Sequence, residues 1–289
     1  MLFRSPTDVG RQLIEALQRS ACGDAHWKYF AGVSYRNLLI YRGRGQPSPF
    51  AADTHTTPPH DITDQLVEPS RPRGTGSELL RDLMLQSRDV LASVESNRAR
   101  GENAATQTWL WGQGKTPAFQ PFAERFGVRG AVITAVDLLR GIGRLLGWQV
   151  VDVPGATGYL DTDYAAKGRF AVAALAEHDL VCVHVEAPDE ASHEGKADEK
   201  VKALERIDEH IVGPLLEALP KHGEWRILIE PDHRTTLRTR AHAYGAVAFA
   251  AAGAGIASRC QTAYDEAVAA DSTVSFDPGH TLMRWFLGS

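Results

Sequence analysis

The sequence predicts an α/β fold, because from residue 131 onward short β-rich runs alternate with helical segments. Such alternation is typical of a largely parallel sheet with helices on both faces. The predicted strands cover 131–136, 149–153, 180–185, 226–230 and 246–250. The predicted helices cover 137–146, 164–177, 197–219 and 280–287.

The preceding part of the chain has a different pattern and predicts a smaller α+β domain. Its apolar residues first recur at helical spacing, then form a short β-rich run, and a proline-rich stretch follows. The predicted elements are a helix over 8–17, a strand over 35–41, a loop over 42–76 and a helix over 77–98 with Ser77 as its N-cap. We therefore expect one domain over 1–105 and a second over 106–289.

Composition and charge exclude several classes of protein. The formal net charge is −5, which is not the basic footprint of a nucleic-acid-binding protein. The longest apolar run, 246–257, is shorter than the roughly 18 residues of a membrane-spanning helix, and the N-terminus has no signal-peptide pattern. The three cysteines form no disulfide framework or CxxC motif. We expect a soluble, cytoplasmic protein with a small-molecule ligand.

Acidic and imidazole side chains follow two of the predicted strands. Asp189 and His193 come after strand 180–185, and Asp232 and His233 come after strand 226–230. The carboxyl ends of strands are where open α/β sheets bind ligands. A spacing of four places Asp189 and His193 on one side of a helix, whereas the adjacent Asp232 and His233 are expected to face apart, unless a loop directs both to one ion.

His242 adds a third imidazole shortly before the last predicted strand. A mixed carboxylate and imidazole set suits Mn²⁺ or Zn²⁺ better than Ca²⁺, and two such ions can assist phosphoryl transfer. Any one Asp-His pair is more often a surface or capping pair. The sequence alone therefore favours a metal site and a set of unrelated surface pairs about equally.

Several segments together resemble the archaeal-type cofactor-independent phosphoglycerate mutases of the alkaline phosphatase superfamily. HVEAPDEASHEG (184–195) and PDH (231–233) are similar to the two metal-binding segments of that family. Further similar segments are GVSYRNLL (32–39), TPPHDIT (57–63), WGQGK (111–115), VDLLRGIGRLLG (136–147), VPGATGYLDT (153–162) and GHTLMRWFL (279–287). The resemblance implies an alkaline-phosphatase-like core over 106–289 and a substrate-holding cap domain over 1–105.

The resemblance also implies the reaction and the metal sites. The family interconverts 2-phosphoglycerate and 3-phosphoglycerate through a phosphoserine and needs no 2,3-bisphosphoglycerate. Asp189, His193 and His242 would hold one Mn²⁺, with Zn²⁺ or Mg²⁺ as alternatives, and Asp232 and His233 would contribute to a second ion. The family's Asp-Gly pair and its serine nucleophile have no counterpart in this sequence. We therefore expect an incomplete cap domain, a core without its first strands, and little mutase activity.

Cationic residues near the predicted cap strand are candidates for binding the anionic substrate. Arg36, in the SYR segment, and Lys115, in WGQGK, are the two expected substrate-binding residues. A solvated surface charge is the alternative for Arg36, and a plain hinge is the alternative at Lys115. Two other functions also remain open: another phosphatase or phosphomutase of the same superfamily, and a non-catalytic metal-binding protein.

Overall fold

A computed structural model describes residues 6–20, 22–32, 36–62, 65–259 and 263–288, except for the side chains of His60 and Asp61. The chain forms two compact units, Met1–Pro117 and Ala118–Ser289. The domain boundary expected near residue 105 thus lies within the first unit, twelve residues before its end. Among the helices of the described residues, none is long and apolar enough to span a membrane.

The first unit packs helices against a two-stranded sheet. Its elements are α1 (Thr7–Arg19), β1 (Trp27–Phe30), β2 (Leu38–Tyr41), α2 (Ser77–Ser93) and α3 (Glu95–Arg98). β1 and β2 are antiparallel, with Trp27 opposite Tyr41. The apolar face of α1, which the spacing predicts, buries Leu13, Ile14 and Leu17 with Tyr29 and Leu83. The strand predicted over 35–41 is present over 38–41, and residues 33–35 lie outside the described residues. The sequence did not predict β1.

The predicted helix over 77–98 is divided, and its cap differs from the prediction. α2 ends at Ser93, and the short α3 follows. Ser77 lies inside α2 instead of capping it, because Gly76 occupies the N-cap position with a φ of 73°. The Ser77 hydroxyl accepts a hydrogen bond of 2.9 Å from Arg81 Nη1. The Ser77 N-cap prediction is therefore wrong.

The second unit is built on a parallel sheet, which confirms the predicted α/β class. Its first elements are α4 (Phe122–Phe126), β3 (Gly130–Ile133), α5 (Asp137–Leu145), β4 (Gln149–Val150), α6 (Tyr164–Ala174), β5 (Leu180–Val183) and α7 (Ala187–His193). The strand order is β4-β3-β5, and both pairings are parallel. All four residues of β3 are buried, as expected for a central strand.

The remaining elements depart further from the predicted pattern. They are α8 (Ala197–Ile207), a π-helical turn (Asp208–Val212), α9 (Gly213–Ala218), β6 (Arg226–Ile229), β7 (Arg234–Thr236), β8 (Ala241–Ala243), β9 (Ala250–Gly253), α10 (Glu266–Ala270) and α11 (Thr281–Leu287). β6 pairs antiparallel with β9 and not with the parallel strands. The helix predicted over 197–219 contains the π-helical turn just before Pro214, where the absent proline N–H interrupts regular α-helical bonding.

Candidate metal centre

Asp189 and His193 lie on one side of α7, as their spacing predicts. α7 begins four residues after β5 ends, so it carries both side chains near the carboxyl end of that strand. Asp189 Oδ2 lies 3.2 Å from His193 Nε2. Both side chains are partly exposed, and a ligand from solvent can therefore reach them.

His242 brings a third donor to the same place from β8. Its Nε2 lies 3.1 Å from His193 Nε2 and 3.6 Å from Asp189 Oδ1. One ligand atom from each of the three residues lies within 4.8 Å of the other two. Donors bound at about 2.0–2.2 Å to one divalent ion are separated by distances of this kind. Two imidazole nitrogens and a carboxylate facing one another thus fit a bound cation.

Asp232 and His233 lie in the turn between β6 and β7 and extend the cluster. The His233 ring is 4.1 Å from the His242 ring, centroid to centroid. Asp232 Oδ2 lies 3.6 Å from His233 Nε2. These two side chains therefore do not face apart, and their arrangement agrees with the alternative in which a loop directs both to one place. They belong to a turn, where the alternation of side chains along a strand does not apply.

A backbone carbonyl fixes the orientation of the His193 ring. His193 Nδ1 lies 2.8 Å from the carbonyl oxygen of Arg240, in the turn between β7 and β8. A carbonyl oxygen only accepts hydrogen bonds, so in the neutral ring Nδ1 carries the proton and Nε2 keeps its lone pair. Nε2 is the atom that faces Asp189 and His242. Outer hydrogen bonds of this type are characteristic of metal-binding histidines.

A buried lysine supports the segment that leads into α7. Lys167, on α6, is only 1% exposed, and its Nζ donates a hydrogen bond of 3.0 Å to the carbonyl oxygen of His184. The His184 ring lies between Thr134 Oγ1 and Glu186 Oε2, at 3.2 Å from each. Burial lowers the pKa of Lys167 to about 8, and the nearby Glu186 carboxylate opposes this shift. Burial also lowers the pKa of His184.

The lowered pKa of Lys167 predicts a pH-dependent stability. Between pH 8 and 10.5 the unfolded chain holds the lysine proton and the folded chain releases it, so stability rises with pH. Below pH 8 the buried lysine is charged in the folded protein, and its burial lowers the free energy of unfolding by the full amount. We expect the wild-type free energy of unfolding to rise by about 1–2 kcal/mol relative to Lys167→Met from about pH 7.5 to about pH 9.5.

Urea denaturation at the two pH values measures this difference. Lys221→Met, which removes an exposed lysine, is the matched control and should show no such gain. If the difference in free energy of unfolding between wild type and Lys167→Met does not change with pH, Lys167 is not a buried group that titrates in this range.

The two expected substrate-binding residues belong to the first unit, and the five candidate donors belong to the second. Arg36 is exposed just before β2, and Lys115 is exposed in a segment without helix or strand. The residues before Lys115 are nevertheless held in place. Gln113 Nε2 donates to the carbonyl oxygen of Thr54 at 2.9 Å, and Trp109 Nε1 donates to that of Thr57 at 2.8 Å.

Sequence reasoning did not find two residues near the centre: Thr235, whose hydroxyl donates a hydrogen bond to Asp189 Oδ1, and Lys167. The sequence contains only a weak signal for Lys167, because the helix segment YAAKGRFAVAA also contains Arg169 and lysines are rarely buried. Thr235 carries no comparable signal. Its role depends on the hairpin of β7 and β8, which the sequence pattern did not predict.

Comparisons with known proteins agree with a metal-dependent enzyme. The family model described as the Metalloenzyme superfamily matches residues 14–274. A protein of Methanothermobacter thermautotrophicus, "2,3-bisphosphoglycerate-independent phosphoglycerate mutase 2", is 46% identical over 96% of this chain and 68% of its own length. A mutase of Methanothrix thermoacetophila is 41% identical over 96% of this chain and 69% of its own. A probable mutase of Geobacter sulfurreducens is 41% identical over 97% and 70%.

A solved structure shares the fold. The cofactor-independent phosphoglycerate mutase of Thermoplasma acidophilum matches with a TM-score of 0.55 and 21% identity, over 92% of this chain and 67% of that chain. The fold and the donor cluster thus define a metal-dependent enzyme of the α/β class, which uses a divalent metal ion. The chain belongs to the Metalloenzyme superfamily and, within it, to the 2,3-bisphosphoglycerate-independent phosphoglycerate mutases.

Proposed function

We propose that this chain serves the interconversion of 2-phosphoglycerate and 3-phosphoglycerate without 2,3-bisphosphoglycerate. The observation that carries the proposal is the convergence of two carboxylates and three imidazoles from α7, β8 and the turn before β7. The names of the relatives, which identify them as phosphoglycerate mutases, supply the substrate class. A cytoplasmic location suits such a substrate.

In this proposal the five donors hold two divalent ions. Asp189, His193 and His242 bind one, and Asp232 and His233 contribute to the other. Mn²⁺ suits the mixture of carboxylate oxygen and imidazole nitrogen, and Zn²⁺ or Mg²⁺ are the alternatives. When bound, such ions neutralise phosphoryl oxygens and lower the pKa of a coordinated hydroxyl group.

The protein's own groups have separate tasks in this proposal. The Arg240 carbonyl keeps His193 Nε2 as the available nitrogen, and Lys167 holds the backbone that leads into α7. Asp189 and Asp232 supply the negative charge that balances two dications. Arg36 and Lys115 bind the carboxylate or phosphate of the substrate, because a guanidinium and an ammonium group form strong hydrogen bonds with such anions. The first unit, with these two residues, acts as the substrate-holding cap.

Calorimetric binding of 3-phosphoglycerate tests the substrate class. We expect binding to the Mn²⁺-loaded protein and none after EDTA treatment. Glycerol 3-phosphate, which lacks the carboxylate, should bind more weakly. A protein that binds Mn²⁺ but not 3-phosphoglycerate would contradict the proposal.

The reaction products distinguish the mutase from the second candidate, a hydrolase of the same superfamily. Phosphorus NMR of a mixture with 3-phosphoglycerate and Mn²⁺ resolves 2-phosphoglycerate from free phosphate. We expect only slow conversion, because the family's serine nucleophile has no counterpart in this sequence. Formation of 2-phosphoglycerate without added 2,3-bisphosphoglycerate supports the mutase. Free phosphate alone would favour the hydrolase.

A further inference from the structure

Thr235 lies between the two groups of donors. It is the middle residue of β7, is only 8% exposed and stands opposite His242 in the hairpin register. Its hydroxyl donates a hydrogen bond to Asp189 Oδ1 and lies 3.2 Å from His233 Nδ1. One hydroxyl group therefore contacts a donor of each proposed ion.

The chemistry of these three groups fixes where the protons are. A carboxylate only accepts hydrogen bonds, so the single hydroxyl proton of Thr235 points to Asp189. Thr235 Oγ1 can then only accept from His233, which requires the proton of the neutral ring to be on Nδ1. The lone pair of His233 is consequently on Nε2, the nitrogen that lies 3.6 Å from Asp232 Oδ2.

The backbone holds Thr235 in this position from both sides. β7 pairs with β8 on one edge, and Lys200 Nζ of α8 donates to the carbonyl oxygen of Thr235 at 3.2 Å. α7, which carries Asp189 and His193, packs against β7. Thr235 is thus fixed with respect to the donors of α7 and β8, and its hydroxyl can orient them.

We propose that Thr235 is a positioning residue that couples the two metal sites. Its hydroxyl orients the Asp189 carboxylate and sets the His233 tautomer, so that His233 ligates through Nε2. This inference rests on the proposed function, because it requires a metal centre at the five donors. It adds a residue that is not itself a ligand.

Mn²⁺ titration of three variants tests the coupling. Thr235→Val keeps the shape and removes the hydroxyl, and we expect its Mn²⁺ affinity to fall about 10-fold at both sites, as for other outer-shell partners. Thr235→Ser keeps the hydroxyl and should stay close to wild type. Thr236→Val is the matched control, since the Thr236 hydroxyl contacts Thr239 and none of the donors.

Nitrogen NMR of the metal-free wild-type protein tests the tautomer without any substitution. We expect the neutral His233 ring to carry its proton on Nδ1. Three results would overturn this inference but not the proposed metal centre. They are an unchanged Mn²⁺ affinity in Thr235→Val, an equal loss of Mn²⁺ affinity in Thr235→Ser, and a proton on Nε2 of His233. A wild-type protein that binds no Mn²⁺ would overturn the proposed metal centre and the inference with it.

Discussion

Replacing Asp189 by Asn should lower the affinity for one Mn²⁺ ion about 100-fold, which corresponds to about 3 kcal/mol. Asp189 is the carboxylate of the three-residue cluster with His193 and His242. The neutral amide keeps the shape of the side chain and its hydrogen bond from Thr235, but it loses the negative charge that offsets the dication. The second ion, held by Asp232 and His233 in our proposal, should be affected much less.

Isothermal titration with Mn²⁺ measures both affinities. Asp198→Asn is the matched control, because it removes the same charge from the exposed start of α8 without changing a donor. Its affinities should remain those of the wild type. Similar weakening in both variants would mean that the long-range charge of the protein, and not the donor set, determines binding. Two unchanged affinities in Asp189→Asn would exclude Asp189 as a ligand.

The sequence could predict that the five candidate donors lie close together, because it contains a local and a topological signal. The four-residue spacing of Asp189 and His193 predicts one side of a helix, and both Asp-His pairs follow strands. The structure brings these residues together with His242. The sequence could not predict how Asp232 and His233 are oriented, since a turn has no fixed side-chain period.

Other features escaped prediction because their physical cause is tertiary. The hairpin segment RTTLRTRAHA alternates between polar and apolar residues only at its end, and β7 forms where α7 packs against it and Lys200 of α8 donates a hydrogen bond to it. The apolar spacing over 197–219 is regular and predicts one helix. The structure instead has α8, the π-helical turn and α9 in this segment. Thr235 and Lys167 acquire their roles only through these packed elements.

Substitution of Gly168 by Ala should destabilise the protein by roughly 3 kcal/mol or more, a large part of the stability of a typical domain. Gly168 is buried in α6, which packs against the π-helical turn. An added Cβ would lie 1.9 Å from the carbonyl oxygen of His210 and 3.1 Å from its carbonyl carbon. Because these are backbone atoms, α6 must move away, and Lys167 must move with it.

Gly141→Ala is the matched control within a helix of the same unit. Gly141 is exposed in α5, and a Cβ there would meet no atom within 4 Å. Alanine favours the helix over glycine, so this variant should be more stable by about 0.5–1 kcal/mol. Urea denaturation measures both changes, which should have opposite signs. Equal stabilisation by both substitutions would show that α6 and the π-helical turn do not pack as closely as described. The position of Lys167, and its hydrogen bond to the segment before α7, would then no longer be fixed by that packing.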